Sequence, residues 1–170
     1  MTSNVQDGYV ISVSSENTAS SRTTHGAFDG IFDNSATEGW QSLARYESTT
    51  GLPNSSADNA TFTVAGVDYT GQWLKLELPQ KIQVKSIVIA SDYNDSPSST
   101  DDRRPENGVF LGSNDETNWE VIKEFNNDLD FVDFASSRDS RATINGITNT
   151  SYYKYLMIVV TKIATTNQFR

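Results

Sequence analysis

Apolar residues recur at every second position from Trp73 to Leu78. Leu74, Leu76 and Leu78 fall on one side, and Lys75 and Glu77 on the other. Side chains alternate faces along a strand, so this segment predicts a strand buried on one face and solvated on the other. Pro79, which has no amide proton to offer a ladder, ends it. A looser alternation over residues 9–14 predicts the first strand, and residues 61–64 a short edge strand before a turn at residues 68–71. Between Val84 and Ile87 the apolar phase slips by one residue, which predicts a bulge or a break between two strands. Ile87, Val88 and Ile89 follow one another without alternation and suit a strand covered on both faces. Residues 153–160 read the same way and predict a central strand. A further hairpin is written over residues 108–125. Val109 to Gly112 forms one arm, the polar run from Ser113 to Asn118 the turn, and Trp119 opens the return.

Between these strands lie long polar stretches at residues 15–25, 45–59 and 91–107. Residues 26–30 turn back towards the core with Phe28 as the expected apolar anchor. Residues 126–140 are acidic, with Phe131, Val132 and Phe134 interspersed, and are expected to cross an open end of the molecule. Asp128 and Asp130 read there as solvated turn residues. Helix signals are few. About eight short antiparallel strands between Gly, Asn, Asp and Ser clusters predict an all-β jelly-roll sandwich. The whole chain, residues 1–170, is expected to form one domain.

Charge and composition narrow the partners. A formal net charge of −9 opposes nucleic acid, whose binding draws on Lys and Arg neutralising phosphates. It also opposes an anionic membrane surface unless a cation bridges the two. No run is long and apolar enough to span a bilayer, and the first ten residues lack the basic and apolar regions of a signal peptide. With no cysteine in the sequence there is neither a disulfide framework nor thiol chemistry. With one histidine, a nucleophile–base pair would have to be built around His25, and no partner stands near it in sequence.

Several motifs together resemble one family. The hairpin GSNDETNWEV (residues 112–121) is similar to the signature hairpin of the discoidin family, which includes the type C domains of coagulation factors and many galactose-binding modules. Ala27-Phe28-Asp29-Gly30 followed by Trp40-Gln41-Ser42 resembles its opening element. Gly71-Gln72-Trp73-Leu74 with Leu76 and Leu78 resembles its next strand, residues 82–89 the one after, and residues 153–162 its penultimate strand. The pieces come in the family's order and cover most of the chain. The family closes with a further strand beside the first; here that strand is missing or cut short, which would leave an edge for a protein partner to complete.

The resemblance implies a non-catalytic module that binds galactose-type glycans through loops at one end of the sandwich, on an extracellular, cell or virion surface. Two other readings stay open: a structural or assembly module without a sugar ligand, and calcium-assisted phospholipid binding with Leu52 as the main apolar loop tip. The resemblance also implies a structural Ca²⁺. Asp29 matches the family's aspartate, Gly26 and Ile31 would offer carbonyls, and Thr37 is a shifted match; Asp29 otherwise simply caps its turn. Sugars ask for planar polar partners and an aromatic ring. The loops offer His25, Arg45, Tyr46, Asp92, Tyr93, Asn94, Arg103 and Arg104, although a lone loop histidine is more often plain surface and the arginines serve structure as readily as ligand. Asn54, Asn59, Asn94 and Asn149 head glycosylation sequons.

Overall fold

The computed structural model describes residues 1–18, 23–28, 39–92, 104–133 and 139–164. The described strands are β1 (Val5–Gln6), β2 (Tyr9–Val13), β3 (Ala60–Val64), β4 (Val67–Ile82), β5 (Ile87–Asp92), β6 (Pro105–Ser113), β7 (Trp119–Asn126), β8 (Val132–Asp133), β9 (Asp139–Ile144) and β10 (Tyr153–Ile163), with a 3₁₀ turn at Thr24–Phe28. Every pairing is antiparallel. A large sheet runs β1-β2-β4-β10-β6-β7 with β3 also on β4, and a small sheet runs β5-β9-β8. Ten strands stand where the pattern predicts about eight. The additions β1 and β8 are two residues each, too short to show a period.

β10 is central as expected, hydrogen-bonded to β4 on one side and β6 on the other. The apolar slip at residues 84–87 is the break between β4 and β5. The hairpin at residues 108–125 forms in register, Ser113 opposite Trp119.

Four expectations are corrected. Residues 68–71 are not a turn: β4 runs straight through them, and the turn lies at Ala65 and Gly66, both at positive φ, as a two-residue hairpin requires. Pro79 does not end β4. It sits where the register with β10 shifts, between the Tyr155↔Glu77 and Tyr153↔Ile82 pairs, the irregular kind of site where a strand tolerates proline. Val88 is 57% exposed, so β5 is covered on one face only. Phe28 is no anchor either; it is exposed, and its carbonyl accepts from the Met1 ammonium at 3.0 Å. On the outer flank of β2, β1 pairs with Val10 and Tyr9. The chain's own N-terminus thus fills part of the edge expected to be open.

β4 is long enough to serve two neighbours along one edge: β3 pairs with residues 67–71 and β2 with residues 74–77. At the end of the first stretch Gly71 meets β10 so closely that a Cβ would lie 1.9 Å from the Val160 carbonyl oxygen. Only glycine allows that approach. Beyond Gly71 the β3–β4 hairpin folds over the sheet. Val64 and Tyr69 join Val109, Leu111, Met157 and Val159 in one core, and Phe62 stands edge-on to Trp73 and Trp119 at 6.3 and 6.4 Å.

The opposite face is shared between two covers. The small sheet supplies Ile89 and Ile144, packed with Phe110, Ile122 and Leu156. Nearer the other edge, Trp40 and Tyr46 from the loop after β2 pack on Val160, Ile163 and Leu74. Such aromatic rings each hide on the order of 150–250 Å², roughly 4–6 kcal/mol of transfer free energy before ordering costs. This loop therefore covers its part of the sheet.

Candidate functional site

Three of the predicted loops come together at the end of the sandwich where β10 finishes. Asn17 N donates to Gln41 O at 2.8 Å, and Leu43 N to Ser15 Oγ at 3.1 Å. Ile163 N donates to Gly51 O at 3.0 Å, and Ala164 N to Arg104 O at 3.2 Å. A fully buried glutamine, Gln72, organises this end. Its Oε1 accepts from Ser14 Oγ at 2.8 Å and from Ser15 Oγ, and its Nε2 donates to Asp58 O at 3.0 Å and Asn59 Oδ1 at 2.8 Å. One side chain on β4 thus fixes both the segment leaving β2 and the segment entering β3.

A cleft of about 340 Å³ opens here, lined by Arg104, Pro105, Glu106, Asn127, Leu129, Asp130, Phe131 and Ala164, near the lower end of the ligand-pocket range of about 300–1,000 Å³. Its apolar wall is rigid, because Leu129 and Phe131 pack on the inter-sheet core. The Arg104 guanidinium carbon stands 5.6 Å over the Phe131 ring centroid, a cation–π arrangement that orients the planar donor fork. Lys162 forms an ion pair with Glu106. The cleft offers a guanidinium, an amide, carboxylates and an aromatic edge, which is the chemistry that hydroxyl-rich ligands require.

Of the predicted ligand residues that the structure describes, Arg104 lines this cleft. Tyr46 is a correction: it is 2% exposed, its hydroxyl donates to Val160 O at 2.8 Å and accepts from Gln72 N at 3.2 Å, and burial pushes its pKa up. No ring face is left for a sugar. Arg45 is half-buried and ion-paired with Asp58. His25 lies in the 3₁₀ turn beside β2, its ring nitrogen 3.1 Å from Thr23 Oγ1. β4 and β10 lie between β2 and β6 in the large sheet, and His25 is not among the residues that line the cleft. Asp92 closes β5, its backbone opposite Asp139. Tyr93, Asn94, Arg103, Asp29, Ile31 and Thr37 lie outside the described residues.

Gly26 is the one described member of the calcium set. It packs against Gly39. Among the described residues no group of three or more His, Asp or Glu could hold a metal, and no helix is long and apolar enough to cross a membrane.

Sequence reasoning passed over Asn127, Asp130 and Phe131. The available signal was the apolar residues Leu129 and Phe131 set among the aspartates of the acidic stretch after the hairpin.

The architecture is that of the galactose-binding-like, discoidin-like β-sandwich. No family model matches the chain, and no curated protein does. Among solved structures it is similar to the family 32 carbohydrate-binding module of Clostridium perfringens NanJ in complex with galactose, at 12% identity and TM-score 0.54, covering 95% of this chain and 88% of that one. A family 32 module from a family 31 glycoside hydrolase of the same organism follows at 14% identity and TM-score 0.53, covering 94% and 87%. The C-terminal domain of a Bacteroides fragilis chitobiase matches at 14% identity and TM-score 0.52, covering 95% and 90%. At these identities the likeness defines the fold.

Proposed function

We propose that this chain is a non-catalytic carbohydrate-binding module that holds a glycan at the loop end of the sandwich and acts at an extracellular or particle surface. The observation that carries the reading is the cleft at the end of β6 and β10. There Arg104, Asn127 and Asp130 converge beside Phe131 on a rigid apolar wall. The fold is shared with a module whose structure holds galactose, which makes galactose-type glycans the first ligands to try. The role of the protein would be to concentrate and orient: planar donors and carboxylates pair with hydroxyls, and the ring edge excludes water.

The test is a titration of ¹⁵N-labelled protein with methyl β-galactoside and a panel of neutral sugars. Resonances of residues 104–106 and 127–131 should shift, and Arg104→Ala should weaken binding at least tenfold without unfolding the domain. A folded protein whose cleft resonances no sugar moves would end this reading. Binding by a single module is expected to be weak and raised by multivalent display.

Calcium at the segment between Gly26 and Gly39 belongs to the same proposal, with Asp29 as the charged ligand and carbonyls completing the shell. Chelation should then lower the Tm, and calcium rather than magnesium should restore it. An unchanged Tm would remove the metal.

A further inference from the structure

We infer that Asn145, just past the end of β9, is a site of spontaneous covalent modification. Its side-chain amide cyclises onto the Gly146 nitrogen and then hydrolyses to aspartate and isoaspartate. Asn145 is not among the residues lining the cleft, and the inference is independent of what the cleft binds.

The reaction needs a main-chain nitrogen one residue beyond the amide, with both groups free to approach. Glycine, lacking Cβ, shields that nitrogen least. The sequence holds two Asn-Gly steps, Asn107-Gly108 and Asn145-Gly146, and the fold separates their fates. Gly108 is buried in β6 and paired on both sides, opposite Val160 of β10 and Phe125 of β7. Its nitrogen reaches the Asn107 side chain only if the ladder opens. Asn145 and Gly146 are both exposed. Gly146 has a φ of 70°, and beyond its chain neighbours no atom stands within 4 Å of where its Cβ would be. Among the described residues nothing hydrogen-bonds the Asn145 side chain, whereas the amides of Asn59 and Asn149 are tied inside the fold.

The Gly146 N–H gives its proton to hydroxide, and the nitrogen bonds Asn145 Cγ. The Cγ–Nδ2 bond breaks, and Nδ2 takes a proton from water and leaves as ammonia. Proximity makes this ring closure intramolecular. Water then opens the cyclic imide at either carbonyl. Attack at Cγ restores the main chain as aspartate; attack at the main-chain carbonyl routes the chain through the former side chain as isoaspartate. Either product adds a negative charge to a chain at −9. Isoaspartate also lengthens the backbone between Ile144 and Ile147, both buried in the inter-sheet core, and so strains the end of β9.

The test ages the full chain in ¹⁸O-water at mildly alkaline pH and maps peptic peptides by mass spectrometry, with electron-transfer fragmentation to tell isoaspartate from aspartate. Asn145 should convert at least about tenfold faster than Asn107, and faster as pH rises. In urea, where no ladder protects Asn107, the two should convert at similar rates. Asn145→Gln, whose longer side chain disfavours the ring, should stay intact at this position. Aged protein should melt below Asn145→Asp, which carries the same charge on an unlengthened main chain. Folded protein that keeps Asn145 while the urea-unfolded chain converts it would overturn the inference. So would Asn107 converting as fast as Asn145 without urea. A Tm equal to that of Asn145→Asp, with isoaspartate present, would overturn the strain on β9.

Discussion

Tyr46 and Gln72 show how far the environment of one residue can lie from what its neighbours in sequence announce. Beside Arg45, Tyr46 reads as a sugar-stacking ring. Its burial is decided by the carbonyl of Val160, 114 positions away, and no local pattern carries that information. Gln72 lies between a glycine and a tryptophan and has no apolar phase of its own, yet it is the hub of the loop end. Tyr46→Phe removes the donor to Val160 O and the acceptor for Gln72 N, leaving both buried groups unpaired. Urea unfolding should show a loss of about 2–4 kcal/mol with the ring packing retained. The sequons behave similarly. Asn59 Nδ2 donates to Arg45 O and to Asn54 O, both at 2.9 Å, and Asn149 Nδ2 donates to Tyr153 Oη at 2.7 Å. Both amides are used inside the fold. Expression in a glycosylating host should yield folded protein with Asn59 and Asn149 unmodified, which mass spectrometry of tryptic peptides would check.

Among the elements, period and punctuation made the strands legible where a strand has one wet face, as in residues 73–78 of β4, and where a polar turn divides two apolar arms, as in β6 and β7. They failed where the chain leaves a flat sheet. Residues 68–71 look like a turn because Asp, Thr and Gly cluster there, but those residues carry β4 over its neighbour. Gly71→Ala would put a methyl group into the Val160 carbonyl; the cost should be about 3 kcal/mol, at the top of the overpacking range, read as a lower urea midpoint. The folded-over hairpin is tethered by Tyr69, whose hydroxyl donates to Glu124 on β7. Burial, and then the Glu124 carboxylate, raise the Tyr69 pKa to about 12. In the unfolded chain the phenol ionises near pH 10. Its contribution is therefore complete below pH 10 and is lost as pH rises from 10 to 12. Thermal midpoints should fall across that window, and Tyr69→Phe should make the fall shallower.

At the scale of the whole molecule, the order of motifs was enough to give the sandwich, because two packed sheets follow from many one-faced strands with few helix signals. The end proposed to bind ligand was legible only as a set of loops. Which loop residues meet depends on where β6, β7 and β10 stop, and among the described candidate ligand residues Arg104 reaches the cleft. A chain at −9 should show no measurable affinity for duplex DNA or for anionic vesicles without calcium at 0.15 M salt, as checked by anisotropy and co-sedimentation.

The stretch from Glu47 to Thr50 is solvent-exposed on every residue, while Tyr46 before it and Gly51 after it are buried. Both flanking residues are tied to the same central strand, through Val160 and Ile163. Drift at the four exposed positions therefore leaves the two clamps untouched. Lineages could replace that finger, or a laboratory library randomise it, with the loop diversifying while its foundation stays constant.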